Sequence, residues 1–302
     1  MSDPAPPRLM RPGALASLAI ALVACSLGCA PRPGVTKRAV VASAVPSPTP
    51  SAFAPLTAVQ PLAPATPGAG ASSCLQSEGR IVSSQVPSVL LGHALGFLRY
   101  LPPCYATASD QTYPILYLFQ GADRGQEQWL ELGIQATADS LIHAGRIPAL
   151  VIVMPQDQGE PLLEAAVLSD LLPALGRGRP APLGRARQAV GGIGRGAPRA
   201  LNLALQRPDL FGAVGLHSPW EAEGDLANVR QWAAKIPADL RPRVYLDVGQ
   251  EDPSLPQAVS LRAALVESGL AVDWQLQPGT HSDDYWRGHL GEYLVWYSQL
   301  WQ

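Results

Sequence analysis

The feature that most restricts the fold is a series of short, apolar segments that alternate with longer amphipathic ones between residues 113 and 301. Two of the apolar segments, 113–119 and 149–154, contain no charged residue. Strands of this kind are buried on both faces of a sheet, and the intervening helices cover those faces. The sequence therefore predicts an α/β fold with a mostly parallel central sheet and helices on both sides.

The predicted elements follow one another through the whole domain. Strands are predicted at 79–86, 95–101, 113–119, 149–154, 187–191, 211–216, 243–248 and 271–277. Helices are predicted at 134–144, 162–175, 198–206, 225–234, 255–268 and 284–301. The first two strands are predicted to form an antiparallel pair. Because ligands of such sheets bind at the carboxyl ends of the strands, the loops after residues 119, 191, 216, 248 and 277 are candidate site loops.

The amino-terminal part of the chain lacks this alternation. Residues 1–28 resemble a lipoprotein-type signal peptide, since two arginines precede an apolar run at 13–24 that is too short to span a bilayer. The Leu-Val-Ala-Cys sequence at 22–25 resembles a lipobox, which predicts lipidation of Cys25. Two alternatives stay open, namely lipidation of Cys29 and an ordinary secretory signal.

Residues 29–72 separate this segment from the domain. They are rich in Pro, Ala and Ser and have too little patterned apolar surface to fold, which predicts a disordered tether. Residues 73–302 suit one α/β domain. The formal net charge of −2 offers no basic surface for nucleic acid. We therefore expect an extracytoplasmic domain that a lipid anchor holds at a membrane, with secretion as the alternative.

Two cysteines flank the first pair of predicted strands. Cys74 precedes the first strand and Cys104 follows the second. If the two strands are antiparallel neighbours, their outer ends meet, and a disulfide there would contribute about 3–4 kcal/mol on the chain-entropy model. An exported domain favours this pairing over two free thiols.

The segment 192–196 reads Gly-Ile-Gly-Arg-Gly and lies between a predicted strand and a predicted helix. A strand–turn–helix at this place is where an α/β-hydrolase carries its nucleophile in the pattern G-x-S-x-G. The central residue here is Gly194, which has no side-chain oxygen.

Three stretches together resemble a known family. They are Ala-Val-Gly-Gly-Ile-Gly-Arg-Gly at 189–196 with Arg-Pro-Asp-Leu-Phe at 207–211, Gly-Gln-Glu-Asp at 249–252, and Pro-Gly-Thr-His at 278–281. They are similar to the α/β-hydrolase esterase family that includes esterase D, feruloyl esterase and enterochelin esterase relatives and, more distantly, the mycolyltransferases. The similarity extends from about residue 79 to the carboxyl terminus and implies an α/β-hydrolase fold.

The resemblance also implies a role for particular residues. Gly194 takes the position of the nucleophile, Asp252 that of the triad acid and His281 that of the base. The base takes the hydroxyl proton during attack, and the acid holds its tautomer. The backbone N–H groups of Ala122 and Arg195 would form the oxyanion hole.

Two positions depart from the family pattern. Gly194 lacks the attacking oxygen, and Gln120 stands where the family usually has a histidine. Gln120 and the following Gly121 are both expected to line the cleft. The resemblance therefore implies a pseudoenzyme that is impaired or inactive as a serine esterase. Neither a cofactor nor a metal is expected, and the expected ligand is a small ester, a glycan or an acyl group.

Two other functions stay open at this point. The chain is an active ester hydrolase or acyltransferase if another nucleophile or an activated water replaces the serine. Ser218 and Ser282 lie near the predicted site, but neither has an elbow sequence around it. A dinucleotide-binding domain is the second alternative, because residues 192–197 also match the G-x-G-x-x-A pattern.

Overall fold

The computed structural model describes residues 76–105, 112–177, 183–220 and 225–302, and these residues contain one eight-stranded sheet. Its strands are β1 (Arg80–Pro87), β2 (Ala94–Leu101), β3 (Ile115–Phe119), β4 (Val151–Pro155), β5 (Gln188–Ile193), β6 (Ala213–His217), β7 (Arg243–Gly249) and β8 (Val272–Gln277). Their order across the sheet is β1-β2-β4-β3-β5-β6-β7-β8. β2 pairs antiparallel with β1 and β4, and the other neighbours are parallel. The predicted antiparallel pair and mostly parallel sheet are confirmed.

Helices connect the strands. They are α1 (Gln128–Glu131), α2 (Ile134–His143), α3 (Leu163–Ala166), α4 (Leu172–Gly176), α5 (Gly196–Gln206), α6 (Asp225–Ala233), α7 (Leu255–Glu267) and α8 (Asp283–Ser298). A π-helical turn, Val167–Leu171, joins α3 to α4, so the helix predicted at 162–175 is present but irregular. Single 3-10 turns lie at Arg185–Arg187 and Ala238–Leu240. Helix α1 was not predicted, because four residues are too few to display a helical period.

Alternate side chains of the central strands face two separate hydrophobic layers. In β3, Leu116 and Leu118 belong to the layer that contains apolar residues of α2 and α8. Tyr117 and Phe119 belong to the other layer, which contains apolar residues of α3, α5, α6 and α7. Because both faces of the sheet are covered, both sets of side chains are buried, which explains why the strand sequences are apolar without a break.

Several predictions concern parts of the chain outside the described residues, namely the signal peptide at 1–28, the tether at 29–72, Cys25 and Cys74. In the described part, Arg80 of β1 pairs with Leu101 of β2. The backbone N–H of Cys104 donates to the side-chain oxygen of Gln76 at 3.2 Å. The pairing of Cys74 with Cys104 stays a prediction. No helix among the described residues has the length and hydropathy needed to cross a bilayer.

The turn between β5 and α5 depends on two closely packed glycines. A Cβ atom on Gly192 would overlap the backbone carbonyl of Gly196. A Cβ atom on Gly196 would lie 2.5 Å from the backbone oxygen of Gln120 and 2.7 Å from that of Phe119. These contacts are with backbone atoms, which cannot rotate away as a side chain can. The strand, the turn and the helix therefore come together only if both positions lack a side chain.

We expect Gly192→Ala to lower the free energy of unfolding by about 2 kcal/mol or more, because the added methyl group forces the backbone of α5 away from β5. The matched control is Gly288→Ala in α8, where an added Cβ meets nothing within 4 Å. That change is expected to raise stability by roughly 0.5–1 kcal/mol, since alanine favours a helix. Denaturant unfolding measures both, and equal midpoints for the two variants would contradict the packing argument.

Candidate functional site

The predicted site residues come together at one edge of the sheet. Gln120, Gly121 and Ala122 follow β3, Gly194 and Arg195 follow β5, Asp252 follows β7, and His281 follows β8. These strands are parallel, so their carboxyl ends lie at the same edge. The topology therefore gathers loops that are more than 150 residues apart in sequence, from Gln120 to His281.

Gly194 lies at the apex of the turn between β5 and α5. Its φ is +54°, a left-handed backbone conformation that glycine adopts without steric cost. The turn is fixed from both sides, because the Gly194 N–H donates to the backbone oxygen of His217 at 2.9 Å and its carbonyl accepts from Trp220 N–H at 3.0 Å. The strand–turn–helix predicted around Gly194 is thus present, with a glycine at its apex.

Asp252 and His281 form a hydrogen-bonded pair. The Nδ1 atom of His281 lies 3.1 Å and 3.0 Å from the two carboxylate oxygens of Asp252. The carboxylate accepts only, so this contact places the proton on Nδ1 and leaves Nε2 as an acceptor. The side chain of Asp252 is 0% exposed, whereas that of His281 is 29% exposed. The pair therefore presents a basic nitrogen to the cleft and keeps its acid away from solvent.

The Asp252 carboxylate is held ionised by its surroundings. Burial on its own would raise the pKa of this carboxyl, but hydrogen bonds from His281, from the Ser254 N–H and from the Ser218 hydroxyl outweigh it. The pKa of Asp252 accordingly lies below its usual range. The Ser254 N–H donates to this carboxylate at 2.7 Å.

The free nitrogen of His281 faces Gly194. A Cβ atom built on Gly194 would lie 3.5 Å from Nε2 and 3.9 Å from the Cα atom of Gly121. Two tryptophan rings lie edge-on to the imidazole, Trp286 at 5.0 Å and Trp220 at 5.9 Å between ring centres. Among the described residues, no side-chain oxygen forms a hydrogen bond with Nε2.

Ala122 and Arg195 line the same cavity as Gly194 and His281, which has a volume of about 450 Å³. Within the described parts of the chain, no hydrogen bond uses the backbone N–H of either residue. The neighbouring N–H of Gly121 is already engaged, because it donates to the side-chain oxygen of Gln128 at 2.8 Å. The backbone N–H groups of Ala122 and Arg195 therefore have no hydrogen-bond partner among the described residues.

A second cavity of about 720 Å³ adjoins the first and shares five lining residues with it, Gly121, Ala122, Arg124, Arg195 and Trp220. Gln120 lines this second cavity and is almost fully buried. Its side-chain nitrogen donates to the backbone oxygen of Asp157 at 2.9 Å. Gln120 thus forms part of the cleft wall instead of filling the cleft.

Three contributing residues were not assigned these roles from the sequence. Gln128 holds the loop after β3, and Trp220 flanks His281; no sequence pattern marks either of them. Ser218 was considered as a nucleophile, but it is fully buried and its hydroxyl accepts a hydrogen bond from Trp286 Nε1 at 3.1 Å while bonding to Asp252. Ser218 therefore supports the acid and does not face the cleft.

Ser282, the other serine near the site, caps α8. Its hydroxyl accepts from the N–H of Tyr285 at 3.4 Å and from the hydroxyl of Thr280 at 3.2 Å. An N-cap oxygen of this kind satisfies one of the free N–H groups at the start of a helix. Ser282 thus fixes the beginning of the helix that directly follows His281.

A buried polar cluster attaches α8 to the sheet. The carboxylate of Asp247 in β7 accepts from His217 Nδ1 at 2.7 Å, from the Tyr293 hydroxyl at 2.6 Å and from the Tyr285 hydroxyl at 3.0 Å. Nε2 of His217 lies 3.2 Å from the Tyr297 hydroxyl. Burial and then the charge of Asp247 raise the pKa of Tyr293 well above its usual value, which keeps the hydroxyl protonated as a donor.

No group of three or more potential metal ligands lies among the described residues. The dinucleotide pattern at 192–197 has another explanation in this fold. Gly192 and Gly196 contact the chain's own backbone, so their missing side chains allow β5, α5 and the loop after β3 to pack together. The pattern does not open a space for a pyrophosphate at these positions.

Comparison with known proteins agrees with this geometry. A family described as "Putative esterase" matches residues 88–297. A ferulic acid esterase structure is 20% identical, with a TM-score of 0.65 over 74% of this chain and 99% of that chain. A ferulic acid esterase from Anaeromyces mucronatus in complex with ferulic acid is 18% identical, with a TM-score of 0.61 over 72% and 90%. An S-formylglutathione hydrolase from Staphylococcus aureus is 16% identical, with a TM-score of 0.60 over 73% and 97%.

These findings define the class of the protein. The fold is that of an α/β-hydrolase, as the mostly parallel sheet and the similar structures both show. The family match covers more than half of the chain, so the chain belongs to this esterase family. The resemblance stated from the sequence is therefore confirmed at the level of family and fold.

We expect Asp252→Asn to lower stability at pH 7 by about 1–3 kcal/mol, because the amide replaces a buried charge that accepts several hydrogen bonds. The pKa of Asp252 is lowered in the folded protein, so its contribution is fully present above the unfolded pKa of about 3.9 and is lost as the pH falls through the folded value. The difference in the free energy of unfolding between wild type and Asp252→Asn should therefore become smaller below about pH 4.

Urea unfolding between pH 3 and pH 7 measures this difference. The matched control is Asp284→Asn, the same chemical change at a side chain that is 92% exposed. It is expected to alter stability by less than about 0.5 kcal/mol. A constant difference between wild type and Asp252→Asn over the whole pH range would contradict the argument.

Proposed function

We propose that this protein is an esterase-family domain that binds an ester, acyl or glycan ligand in its cleft but lacks serine-esterase activity. The observation that carries the proposal is the relation of Gly194 to His281. A Cβ atom on Gly194 would lie in ordinary van der Waals contact with Nε2, at 3.5 Å. A serine at this position would therefore bring its hydroxyl within reach of the base, and glycine supplies none.

The groups that remain in the cleft determine which steps of serine-esterase catalysis are kept and which are lost. In a serine esterase the base accepts the hydroxyl proton, an acyl-enzyme forms, and backbone N–H groups stabilise the oxyanion. Asp252, His281 and the two N–H groups remain, but no acyl-enzyme can form at Gly194. Loss of a nucleophile costs about a millionfold in rate in a serine protease, while binding and the oxyanion groups retain about a thousandfold over water.

The walls of the cleft are mixed in character, because Arg195 lines both cavities as a cation that has no ion pair among the described residues. The cations of Arg124 and Arg199, which line the larger cavity, are each paired with two carboxylates. Trp220 is partly exposed at the boundary between the two cavities and offers an apolar surface. One similar structure contains ferulic acid and another contains sinapinate, which are small aromatic acids.

Changing Gly194→Ser is expected to raise hydrolysis of small p-nitrophenyl esters by about a hundredfold or more, because it restores an oxygen next to an intact base. The variant should also react with a fluorophosphonate probe, whereas the native protein should not. The serine is expected to cost roughly 1–3 kcal/mol of stability, since it must adopt the left-handed backbone conformation.

The double variant Gly194→Ser with His281→Gln is the control, and it should lose most of the gained activity. A native protein as fast as Gly194→Ser, or labelled by the probe, would contradict the proposal. That result would favour the alternative of an active hydrolase or acyltransferase with another nucleophile. Ser218 and Ser282 would be poor candidates for it, because the first is buried and the second caps α8.

We also propose that the domain acts outside the cytoplasm, attached to a membrane by a lipid on Cys25. The support comes from the sequence, namely the signal-like segment at 1–28 and its lipobox-like end. The proposed disulfide between Cys74 and Cys104 suits the same compartment. The hydrogen bond between Cys104 N–H and Gln76 supports it, because Gln76 lies only two residues after Cys74.

Mass spectrometry of the mature, non-reduced protein is expected to find a lipid-modified amino-terminal Cys25 and a peptide cross-linked through Cys74 and Cys104. Cys25→Ser should abolish the lipid, and Cys29→Ser should leave it in place. A mature chain that begins at a lipid-modified Cys29 would contradict lipidation of Cys25. A mature chain without lipid would contradict the anchor and favour secretion. Two thiols that react with a labelling reagent before reduction would contradict the disulfide.

A further inference from the structure

We propose that the space beside Gly194 binds a small oxygen nucleophile, namely water or a short primary alcohol, which His281 activates for direct attack on an ester in the cleft. The inference rests on the proposed function, since it takes the cleft to bind esters without a serine nucleophile. It goes further by assigning the missing serine position to a free molecule of defined size and chemistry.

The first argument is the size of the space. The atoms nearest to a Cβ on Gly194 are Nε2 and Cε1 of His281, at 3.5 Å and 3.7 Å, and the Cα of Gly121 at 3.9 Å. A serine side chain adds two heavy atoms, a carbon and an oxygen. Methanol has the same two heavy atoms, and water has one. Both are small enough for the cavity of about 450 Å³ that Gly194 and His281 line, and the missing side chain at residue 194 leaves the approach to Nε2 open.

The second argument is the state of the base. Asp252 holds Nδ1 at 3.0 Å and 3.1 Å, so the lone pair of Nε2 is directed away from the carboxylate. The rings of Trp220 and Trp286 flank the imidazole edge-on. A hydroxyl in the space beside Gly194 is therefore the group that can donate to Nε2.

The third argument is the position of the oxyanion groups. The N–H groups of Ala122 and Arg195 belong to residues that line the same cavity as Gly194 and His281. An ester whose carbonyl oxygen accepts from these N–H groups has its carbonyl carbon close to the space beside Gly194. The nucleophile, the base and the electrophile then meet in a single cavity.

The step balances without an acyl-enzyme. The hydroxyl proton moves to Nε2 of His281, and the hydroxyl oxygen forms a bond to the carbonyl carbon of the ester. The π electron pair of the carbonyl moves to the carbonyl oxygen. Collapse re-forms the carbonyl and breaks the bond to the leaving alcohol, which takes the proton back from Nε2. With water the ester gives an acid and an alcohol, and with methanol it gives a methyl ester and the original alcohol.

The reaction is expected to be slow because the nucleophile is not attached to the protein. A tethered and oriented group can have an effective molarity of about 10⁵–10⁸ M, which a dissolved alcohol does not reach. The rate should therefore rise with alcohol concentration until the space is filled. This dependence distinguishes a bound nucleophile from residual non-specific hydrolysis.

The test follows p-nitrophenol release and methyl acetate formation from p-nitrophenyl acetate with the native protein at increasing methanol. We expect saturable methyl acetate formation that falls on the order of a hundredfold in His281→Gln, the typical effect of a general base. Gly194→Ala places a methyl group in the space and should abolish the methanol dependence. Thermal unfolding verifies that both variants are folded.

Methyl acetate formation that needs His281 and is blocked by Gly194→Ala would establish the inference. No methyl acetate, or equal formation in the native protein and both variants, would overturn it and leave the proposed function intact. If Gly194→Ala does not fold, the comparison of the native protein with His281→Gln carries the same decision. A stoichiometric burst of p-nitrophenol would overturn both, because it reports an acyl-enzyme.

Discussion

The arrangement of the site depends on the hydrogen bonds that the buried carboxylate of Asp247 accepts. The carboxylate accepts hydrogen bonds from β6 through His217 and from α8 through Tyr285 and Tyr293. A buried carboxylate is tolerable only when its oxygens have partners, so the helix cannot shift without exposing an unpaired charge. Because His281 lies two residues before α8, this constraint also limits where the imidazole can lie.

On the opposite side of the site, the close packing of two glycines fixes the position of the turn after β5. The backbone contacts of Gly192 and Gly196 place the turn after β5 against the loop after β3, whatever side chain residue 194 carries. In an active relative a serine there must accept an unfavourable backbone conformation, at roughly 1–3 kcal/mol. Glycine avoids this strain. Glycine at residue 194 therefore fits this turn without strain, and the backbone contacts of Gly192 and Gly196 do not depend on a side chain there.

The sequence predicted the fold well because the sheet is covered on both faces. Apolar runs such as 113–119 and 149–154 mark strands β3 and β4, and their ends differ from the structure by at most two residues. The positions of Gly194, Asp252 and His281 followed from the resemblance, and the structure brings all three together. The roles of Gln128 and Asp247 could not be predicted, because their partners are set by the packing of segments far apart in the chain.

The independence of the turn from its central side chain has an evolutionary consequence. Some glycine and serine codons differ by a single base, so a hydroxyl at residue 194 is within reach of a point mutation. The acid, the base and the closely packed glycines around that position are all still encoded. Under the proposed function, a hydroxyl gained at residue 194 would meet a framework that already holds Asp252 and His281 in place.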